Sequence, residues 1–194
     1  MKLSRTALLV SVASFALAGA AVPTIAQQMM KNEETVTVGG APMYPSKNIV
    51  QNAVNSKDHT TLVAAVKAAG LVDTLQSPGP FTVFAPTNAA FAKLPAGTVD
   101  GLLKPEAKGK LTAVLTYHVI PGRLSAKDLA EAAKKAGGIA EFKTVEGDIL
   151  KVEAKGTMLT IVDSKGGMSH VTIQNVFQSN GVIHVVDSVL IPSA

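Results

Sequence analysis

The chain has 194 residues, and its 18 lysines and arginines against 14 aspartates and glutamates give a formal net charge of +4 at pH 7. It contains no cysteine, which excludes disulfides, thiol catalysis, zinc–thiolate sites and a lipid anchor on a cysteine. Two of the positive charges lie within the first five residues. The rest of the chain is therefore only mildly basic and lacks the strong positive charge that is typical of a nucleic-acid-binding protein.

The first 26 residues show the three-part pattern of a secretory signal peptide. Lys2 and Arg5 form a basic start, residues 7–22 are apolar and uncharged, and the expected cleavage follows Ala26. The apolar stretch is shorter than the roughly 20 residues that a membrane-spanning helix needs. We therefore predict that residues 1–26 are removed, that no stable membrane span is left, and that the protein is periplasmic or extracellular. An exported chain without cysteine suits a bacterial envelope or the external medium.

The remaining chain is long enough for one domain, because a chain of this size can bury roughly 70% of its unfolded surface. Residues 27–43 are polar and contain glycine, so we predict a flexible tether that can hold a short strand at residues 35–38. The folded domain is predicted over residues 44–192.

The first half of this domain carries apolar residues at helical spacing, which predicts a series of helices separated by prolines and glycines. Ser46 can cap the first helix. Asp58 or Thr60 can cap the second, and Gly70 ends it. A first strand is predicted at residues 81–85, directly after a Pro-Gly-Pro break.

Four more helical segments are predicted before the pattern changes. Thr87 can cap a short helix, and Thr98 can cap a single turn. Residues 111–118 show helical spacing and should run out into an extended piece. Ser125 and Asp128 resemble a capping box for the last helix, which should end at a pair of glycines.

The second half of the domain alternates with a period of two, which is typical of strands. Glycine-containing turns separate the alternating segments and predict hairpins. Helices followed by an antiparallel meander define an α+β domain. The strand candidates are residues 142–145, 149–152, 158–162, 171–173 and 182–186.

The last apolar run, residues 180–192, is rich in β-branched residues. Its apolar residues are nearly continuous, which predicts a central strand that is covered on both faces. Pro192 is expected to end this strand, because proline cannot donate to a ladder. The partners of such a strand must come from earlier in the chain, so the fold should close only when the last strand docks.

Three stretches resemble motifs of the fasciclin (FAS1) domain family in their order and spacing. They are TVFAPTNAAF at residues 82–91, LTYHVIPG at residues 115–122, and NGVIHVVDSVLIP at residues 180–192. The resemblance extends over about residues 44–191. It implies a single-domain secreted bacterial member of the family, with a wedge of about seven mostly antiparallel strands and a cluster of helices packed against it. It also implies adhesion or extracellular binding, without a cofactor and without catalysis.

Most residues of these motifs have a structural interpretation. Pro86 ends the predicted strand, and Thr87 or Asn88 can offer an oxygen to the free N–H groups of the following helix. A ligand at that helix start is the alternative interpretation. The remaining structural positions are Phe84, Phe91, Asn180, Gly181, His184 and Asp187.

Tyr117 and His118 are the candidate adhesion contacts, because the resemblance associates this region with adhesion. Adjacent residues point in different directions, so at most one of the two need face the core. The other interpretation buries His118 and lets it donate to a backbone carbonyl. His184 and Asp187 should lie on opposite sides of their strand, so no metal site is predicted.

The function we predict is a non-enzymatic secreted module that binds a surface polysaccharide, or an envelope or host surface protein. One alternative is a periplasmic small-molecule-binding or hydrolytic protein that uses His118 and a neighbouring carboxylate. Another is a purely structural envelope protein. In animal relatives an Asp-Ile pair before the last motif is tied to integrin binding, but the matching positions here are Asn175 and Val176, so that route is not expected. The sequence indicates no particular oligomeric state.

Overall fold

The computed structural model describes residues 35–193. The predicted signal peptide and the first part of the predicted tether lie outside these residues. Within the described part of the chain, no helix is long and apolar enough to cross a membrane.

The described residues form an α+β domain with a seven-stranded sheet, a separate two-stranded hairpin and several helices. Short 3-10 turns at Lys57–His59 and Pro105–Ala107 precede two of the helices. The helices are α1 (Ile49–Ala53), α2 (Thr60–Ala69), α3 (Val72–Gln76), α4 (Asn88–Ala92), α5 (Thr98–Leu102), α6 (Lys108–Tyr117) and α7 (Ala126–Lys135). The strands are β1 (Val36–Val38), β2 (Ala41–Met43), β3 (Phe81–Pro86), β4 (Val119–Pro121), β5 (Ile139–Lys143), β6 (Ile149–Lys155), β7 (Met158–Val162), β8 (Met168–Gln178) and β9 (Gly181–Val186).

The large sheet has the strand order β4-β3-β9-β8-β7-β6-β5. Neighbouring strands are antiparallel except for β3 and β9, which pair in parallel with Phe84 opposite His184. Strands β5 to β9 follow one another along the chain as an antiparallel meander, joined by the predicted glycine-containing turns. The predicted fold class, about seven mostly antiparallel strands with helices packed against them, is confirmed.

Strand β9 lies in the middle of the sheet between β3 and β8, and all six of its residues are buried. The strand candidate at residues 182–186 is confirmed, whereas the expectation that the strand runs on to Pro192 is wrong, since it ends at Val186. From Ser188 onward, side chains replace the strand ladder as acceptors of backbone N–H groups. Ser188 N donates to Ser169 Oγ at 3.0 Å, and Leu190 N donates to His118 Nε2 at 3.0 Å.

The sheet separates two hydrophobic cores, because alternate residues of β3 and β9 point to opposite faces. Val83 and Ile183 belong to the first core, which lies under α1, α2, α3 and α6. Phe84 and Val186 belong to the second core, which lies between the sheet and α7. The central strands are therefore covered on both faces, and that explains their nearly continuous apolar sequence.

The short strand predicted at residues 35–38 is present as β1, but the described end of the predicted tether, residues 35–43, packs on the domain. β1 and β2 form an antiparallel hairpin with Val36 opposite Met43. Val38 and Met43 are only 3% exposed and belong to the first core. This segment has few apolar residues, but they pack on the domain. Its polar composition alone does not indicate that packing.

Helix caps follow the predicted chemistry at some ends and differ at others. Gly70 ends α2 in the left-handed region with φ of 74°, as predicted. Ser125 and Asp128 form the predicted capping box of α7. The N-cap of α1 is Asn48 instead of Ser46, and Gln51 completes a capping box with it. Helix α1 therefore starts two residues later than predicted.

Candidate functional site

The corner after β3 joins three elements through two polar side chains. Thr87 caps α4 by accepting a hydrogen bond from Ala90 N at 3.2 Å. Asn88 instead serves α2: its Oδ1 accepts from Thr61 N at 3.0 Å, and its Nδ2 donates to Lys57 O at 2.8 Å. Neither Asp58 nor Thr60 therefore provides the N-cap that the sequence suggested for α2. These contacts give the corner a structural role. Protein groups already bind both side chains, so nothing at the start of α4 indicates a ligand site.

The two phenylalanines of the first motif anchor different cores. Phe84 is fully buried in the second core, and Phe91 lies in the first core. Full burial of such a side chain contributes roughly 1.5–3 kcal/mol. The motif therefore fixes β3 and α4 on both sides of the sheet.

Tyr117, at the end of α6, is completely buried. Its hydroxyl donates to Ile149 O at 3.0 Å and accepts from Ser164 N at 3.0 Å. Burial raises the pKa of this phenol, and the hydrogen bond from Ser164 offsets part of the effect. The side chain ties α6 to β6 and to the turn after β7, and it offers no surface to a ligand.

His118 is also buried, with 2% of its surface exposed. Nδ1 lies 2.7 Å from Val114 O, and Nε2 accepts from Leu190 N at 3.0 Å. These partners fix a neutral ring with the proton on Nδ1. Burial lowers the pKa of His118 to about 4, with a partial offset from the Val114 carbonyl.

The geometry around His118 contradicts the hydrolytic alternative. A general base needs a proton to abstract within hydrogen-bond reach in an accessible cleft. Both ring nitrogens here are occupied by the backbone of the protein itself. A direct adhesive contact through Tyr117 or His118 is contradicted as well, because neither side chain reaches the surface.

Both neighbours face a core, although the sequence required this of at most one of them. The end of α6 passes between the two cores. Tyr117 enters the second core, whereas His118 borders a cavity in the first. A segment between two apolar layers can bury adjacent side chains in opposite directions.

Asn180 connects β9 to the helices of the first core. Its Oδ1 accepts from Ile49 N at 3.0 Å, and its Nδ2 donates to Leu75 O at 2.8 Å and to Ser77 O at 2.9 Å. Gly181 follows at a point where a Cβ atom would lie 2.2 Å from Phe81 O. The Asn-Gly pair therefore forms a turn, and its glycine also lets the backbone pass close to that of Phe81.

His184 is fully buried on β9. Its Nε2 lies 3.0 Å from Leu124 O, and its ring centroid lies 5.8 Å from that of Phe84. Burial lowers the pKa of His184, and the Leu124 carbonyl offsets part of the shift. The described residues include no group of three or more His, Cys, Asp or Glu that could hold a metal ion.

Asp187 lies at the surface just after β9. It accepts from His170 N at 2.8 Å, and its Oδ2 lies 3.4 Å from Lys93 Nζ. Burial alone would raise the pKa of Asp187, but the His170 amide and the Lys93 ammonium group outweigh it and hold the pKa below its ordinary value. This carboxylate therefore fastens the end of β9 to β8 and to the residue after α4.

The positions that match the integrin-associated pair also serve the fold. Asn175 adopts a positive φ of 59°, and its Oδ1 accepts from Ala126 N at 2.7 Å at the start of α7. Val176 is only 1% exposed and belongs to the first core. Neither position presents a side chain for direct recognition.

The exposed feature that the sequence reasoning missed is the outer face of β5 to β8. The inner residues of these strands, such as Leu150 and Val152, are fully buried. A signal was present in the sequence, because apolar residues also occur at the alternate, outward positions. We call this surface the meander face; its outward residues are Ile139, Glu141, Lys143, Ile149, Lys151, Glu153, Lys155, Met158, Thr160, Val162, Met168 and His170.

The fold and its buried motifs define a class of protein, the fasciclin domains. The model of the fasciclin domain family matches residues 57–192. The chain belongs to this family, and the resemblance seen in the sequence is confirmed.

Similar chains occur in bacteria and animals. The chain is 45% identical over 186 residues to protein sll1483 of Synechocystis sp., covering 93% of this chain and 95% of the relative. It is 38% identical over 147 residues to immunogenic protein MPB70 of Mycobacterium bovis, covering 73% and 67%. Identity to transforming growth factor-beta-induced protein ig-h3 of Sus scrofa is 37% over 133 residues, which is 69% of this chain and 17% of the relative.

A solved FAS1 domain pair from the insect cell adhesion molecule fasciclin I has the same fold. Its TM-score to this chain is 0.67, at 19% sequence identity, and the match covers 76% of this chain and 51% of that chain.

Proposed function

We propose that this protein is an exported adhesion module that binds an envelope or host surface protein through the meander face. Membership of the fasciclin family supports a binding role, and the solved relative of the same fold is a cell adhesion molecule. The interior motifs are occupied by structural hydrogen bonds, so an outer surface is the better candidate for recognition.

The exposure of large apolar side chains on the meander face carries the proposal. Ile139 is 47% exposed, Ile149 42%, Met158 60% and Met168 61%. They are four of the seven large hydrophobic side chains that are exposed in the described part of the chain. Single exposed hydrophobics are ordinary, but a group on one open sheet face is typical of an interaction surface.

Charged residues stand between these apolar side chains. Lys151 and Glu141 pair across strands at 3.6 Å, and Lys155 and Glu153 pair at 3.0 Å. Exposed pairs of this kind contribute little to stability. A mixture of apolar residues with a polar surround is the usual composition of a protein–protein interface.

The residue types favour a protein partner over a polysaccharide. Met158 and Met168 are flexible and polarisable side chains, which adapt to irregular protein surfaces. No Phe, Tyr or Trp belongs to the outward residues of the meander face, so it lacks the large flat ring on which a sugar usually stacks. A surface polysaccharide remains the alternative partner, and the test below separates the two.

The test is saturable binding of the labelled protein to cells, before and after protease treatment of the cell surface. We expect the double variant Met158→Ser/Met168→Ser to lose most of the binding. The matched control is Val54→Ser, which removes a side chain that is 49% exposed on another part of the surface. Binding that protease abolishes identifies a protein partner, whereas binding that survives protease indicates a polysaccharide.

Equal binding by both variants and the wild type would refute the meander face as the binding surface. Each measurement is repeated at high salt, because a purely electrostatic contact is screened there. The absence of any saturable binding would favour the structural envelope alternative.

Export through the leader is part of the same proposal. We expect the protein recovered from outside the cytoplasm to begin at Gln27. Mass spectrometry of the exported protein measures this directly. Recovery of the intact leader would contradict cleavage after Ala26.

A further inference from the structure

Methionine provides all of the side-chain sulfur in this protein. The chain contains six methionines and no cysteine. Where a cysteine thiolate is present, it normally reacts with a peroxide first, and in a chain without thiols the methionine thioethers take its place as the reactive sulfur. Three of the six, Met43, Met158 and Met168, lie in the part of the chain that the structure describes.

The fold divides these three methionines sharply by exposure. Met158 is 60% exposed and Met168 61%, whereas Met43 is only 3% exposed. Met43 packs in the first core from strand β2. Oxidation of methionine requires that the oxidant reach the sulfur atom, so it follows solvent exposure. The structure therefore offers two thioethers to an oxidant and shields the third.

The two exposed methionines stand at opposite ends of the meander face. Met158 begins β7 and lies opposite Lys155 of β6. Met168 begins β8 and lies opposite Val162, the last residue of β7. The two positions are about 13 Å apart along the strand direction, at roughly 3.3 Å per residue. A partner that covers the length of β7 therefore covers both side chains.

We propose that Met158 and Met168 are oxidation sites at which a peroxide weakens binding through the meander face. A lone pair of the thioether sulfur attacks one peroxide oxygen, and the S–O bond forms as the O–O bond breaks. The second oxygen leaves as hydroxide and takes the proton of the transferred oxygen, which gives water. The sulfur loses two electrons and becomes a sulfoxide, and the peroxide gains them. The effect on binding rests on the adhesion function proposed above.

The sulfoxide changes the character of the meander face. It converts a flexible apolar side chain into a polar one with a strong hydrogen-bond acceptor. A partner surface that fits the thioether has no donor placed for this oxygen, and covering a polar group without a hydrogen bond is unfavourable. We expect the affinity for cells to fall about ten-fold when both sites are oxidised.

Oxidation at these two positions should leave the fold intact. Met158 and Met168 belong to neither of the two hydrophobic cores. Met43 belongs to the first core, where a sulfoxide would place a polar group among apolar side chains. Mild oxidation should therefore lower binding without lowering the stability of the domain, and only stronger oxidation should destabilise it.

The first experiment locates the oxidised sulfur atoms. The exported protein is treated with increasing hydrogen peroxide, cleaved with trypsin and analysed by mass spectrometry. Cleavage after lysine places Met43, Met158 and Met168 in separate peptides, residues 32–47, 156–165 and 166–194. We expect Met158 and Met168 to be fully oxidised at doses that leave Met43 unchanged. Equal oxidation of all three would overturn the assignment of the sites.

The second experiment measures cell binding before and after mild oxidation, with each protein compared only with itself. The wild type should lose about ten-fold in affinity. Met158→Leu/Met168→Leu keeps the apolar volume but has no sulfur at these positions, so oxidation should not change its affinity. The matched control Met43→Leu should lose affinity as the wild type does. Urea unfolding of each oxidised protein verifies that the domain is still folded.

Reduction of the sulfoxides provides a rescue. Methionine sulfoxide reductases, one for each sulfoxide epimer, should restore the affinity of the oxidised wild type. The effect on binding is overturned if the oxidised wild type binds as before, or if the double leucine variant loses as much affinity as the wild type. If the wild type does not bind cells even before oxidation, the adhesion function is refuted together with this effect. The peptide analysis still supports or overturns the two oxidation sites in that case.

Discussion

Polar side chains in the three motifs act as ties between elements that are distant in sequence. Asn180 joins β9 to the start of α1 and the end of α3. Tyr117 joins α6 to β6, and Asn88 supplies the hydrogen bonds that α2 lacks at its own start. The backbone groups that Asn180 binds at Ile49 and Leu75 are buried, and leaving such a group unpaired costs about 1–3 kcal/mol.

Asn180→Ala is expected to be among the most damaging single changes. It leaves the Ile49 amide and the Leu75 carbonyl without their partners in a buried setting. We expect a loss of about 2–4 kcal/mol in the free energy of unfolding. Urea unfolding measures this loss, and Asn55→Ala, which removes an exposed side-chain hydrogen bond, is the control. Equal effects of the two variants would show that Asn180 is not a structural tie.

The buried histidines predict that acid destabilises the protein well above the range in which carboxylates titrate. The pKa of His118 falls from the ordinary 6.5 to about 4 on folding. Between these values His118 binds a proton in the unfolded chain but not in the folded chain. Its contribution to the free energy of unfolding is therefore fully present above about pH 6.5 and decreases as the pH falls. The full loss from this residue is roughly 3 kcal/mol.

The measurement is urea unfolding at about pH 7.5, above this window, and at about pH 5, inside it. His118→Gln keeps a donor and an acceptor but cannot titrate, so its stability should change less between the two pH values. His170→Gln, at an exposed position, should follow the wild type. If His118→Gln shows the same pH dependence as the wild type, His118 is not the responsible group. His184 contributes with the same sign, because burial lowers its pKa too.

At the scale of elements, the β1–β2 hairpin is small but belongs to the core. Val38 and Met43 each lose almost all of their exposed surface to the first core. They also line the cavity between the helices and the sheet. The hairpin is therefore a wall of the domain and not part of a tether.

Removal of the hairpin should destabilise the domain. We expect the free energy of unfolding of a chain that starts at residue 44 to be about 3–5 kcal/mol lower than that of a chain that starts at residue 35, because two buried side chains are lost. Chemical unfolding of the two truncated chains gives the comparison. Equal stabilities would restore the interpretation of this segment as a tether.

At the scale of the molecule, the last strand completes the sheet. β9 lies between β3, which precedes it by about a hundred residues, and β8, which precedes it directly. The two cores meet on its two faces, through Ile183 on one side and Val186 on the other. Neither core can close before the end of the chain has docked.

A chain that ends at residue 179 should therefore lack a cooperative fold. We expect a collapsed NMR spectrum with poor dispersion, whereas a chain that ends at Pro192 should keep the native spectrum. The long-range pairing of β3 with β9 should also make folding of the full domain slow, in the millisecond to second range. A well-dispersed spectrum from the shorter chain would contradict a closing role for β9.

The sequence by itself determined the features that depend on neighbours along the chain. The capping box of α7, the left-handed end of α2 at Gly70, the hairpins of the meander and the central position of β9 all follow from local spacing, turn chemistry and an apolar run. Only the tertiary structure decided which partners meet across the domain. Asn180 reaches Ile49, 131 residues away, and the start of α2 is capped by Asn88 from another helix. Tyr117 and His118 are both buried because two cores flank one segment, and the outward residues of β5 to β8 are exposed because no described helix covers them. Periodicity shows which residues share a face, but burial depends on what lies against that face.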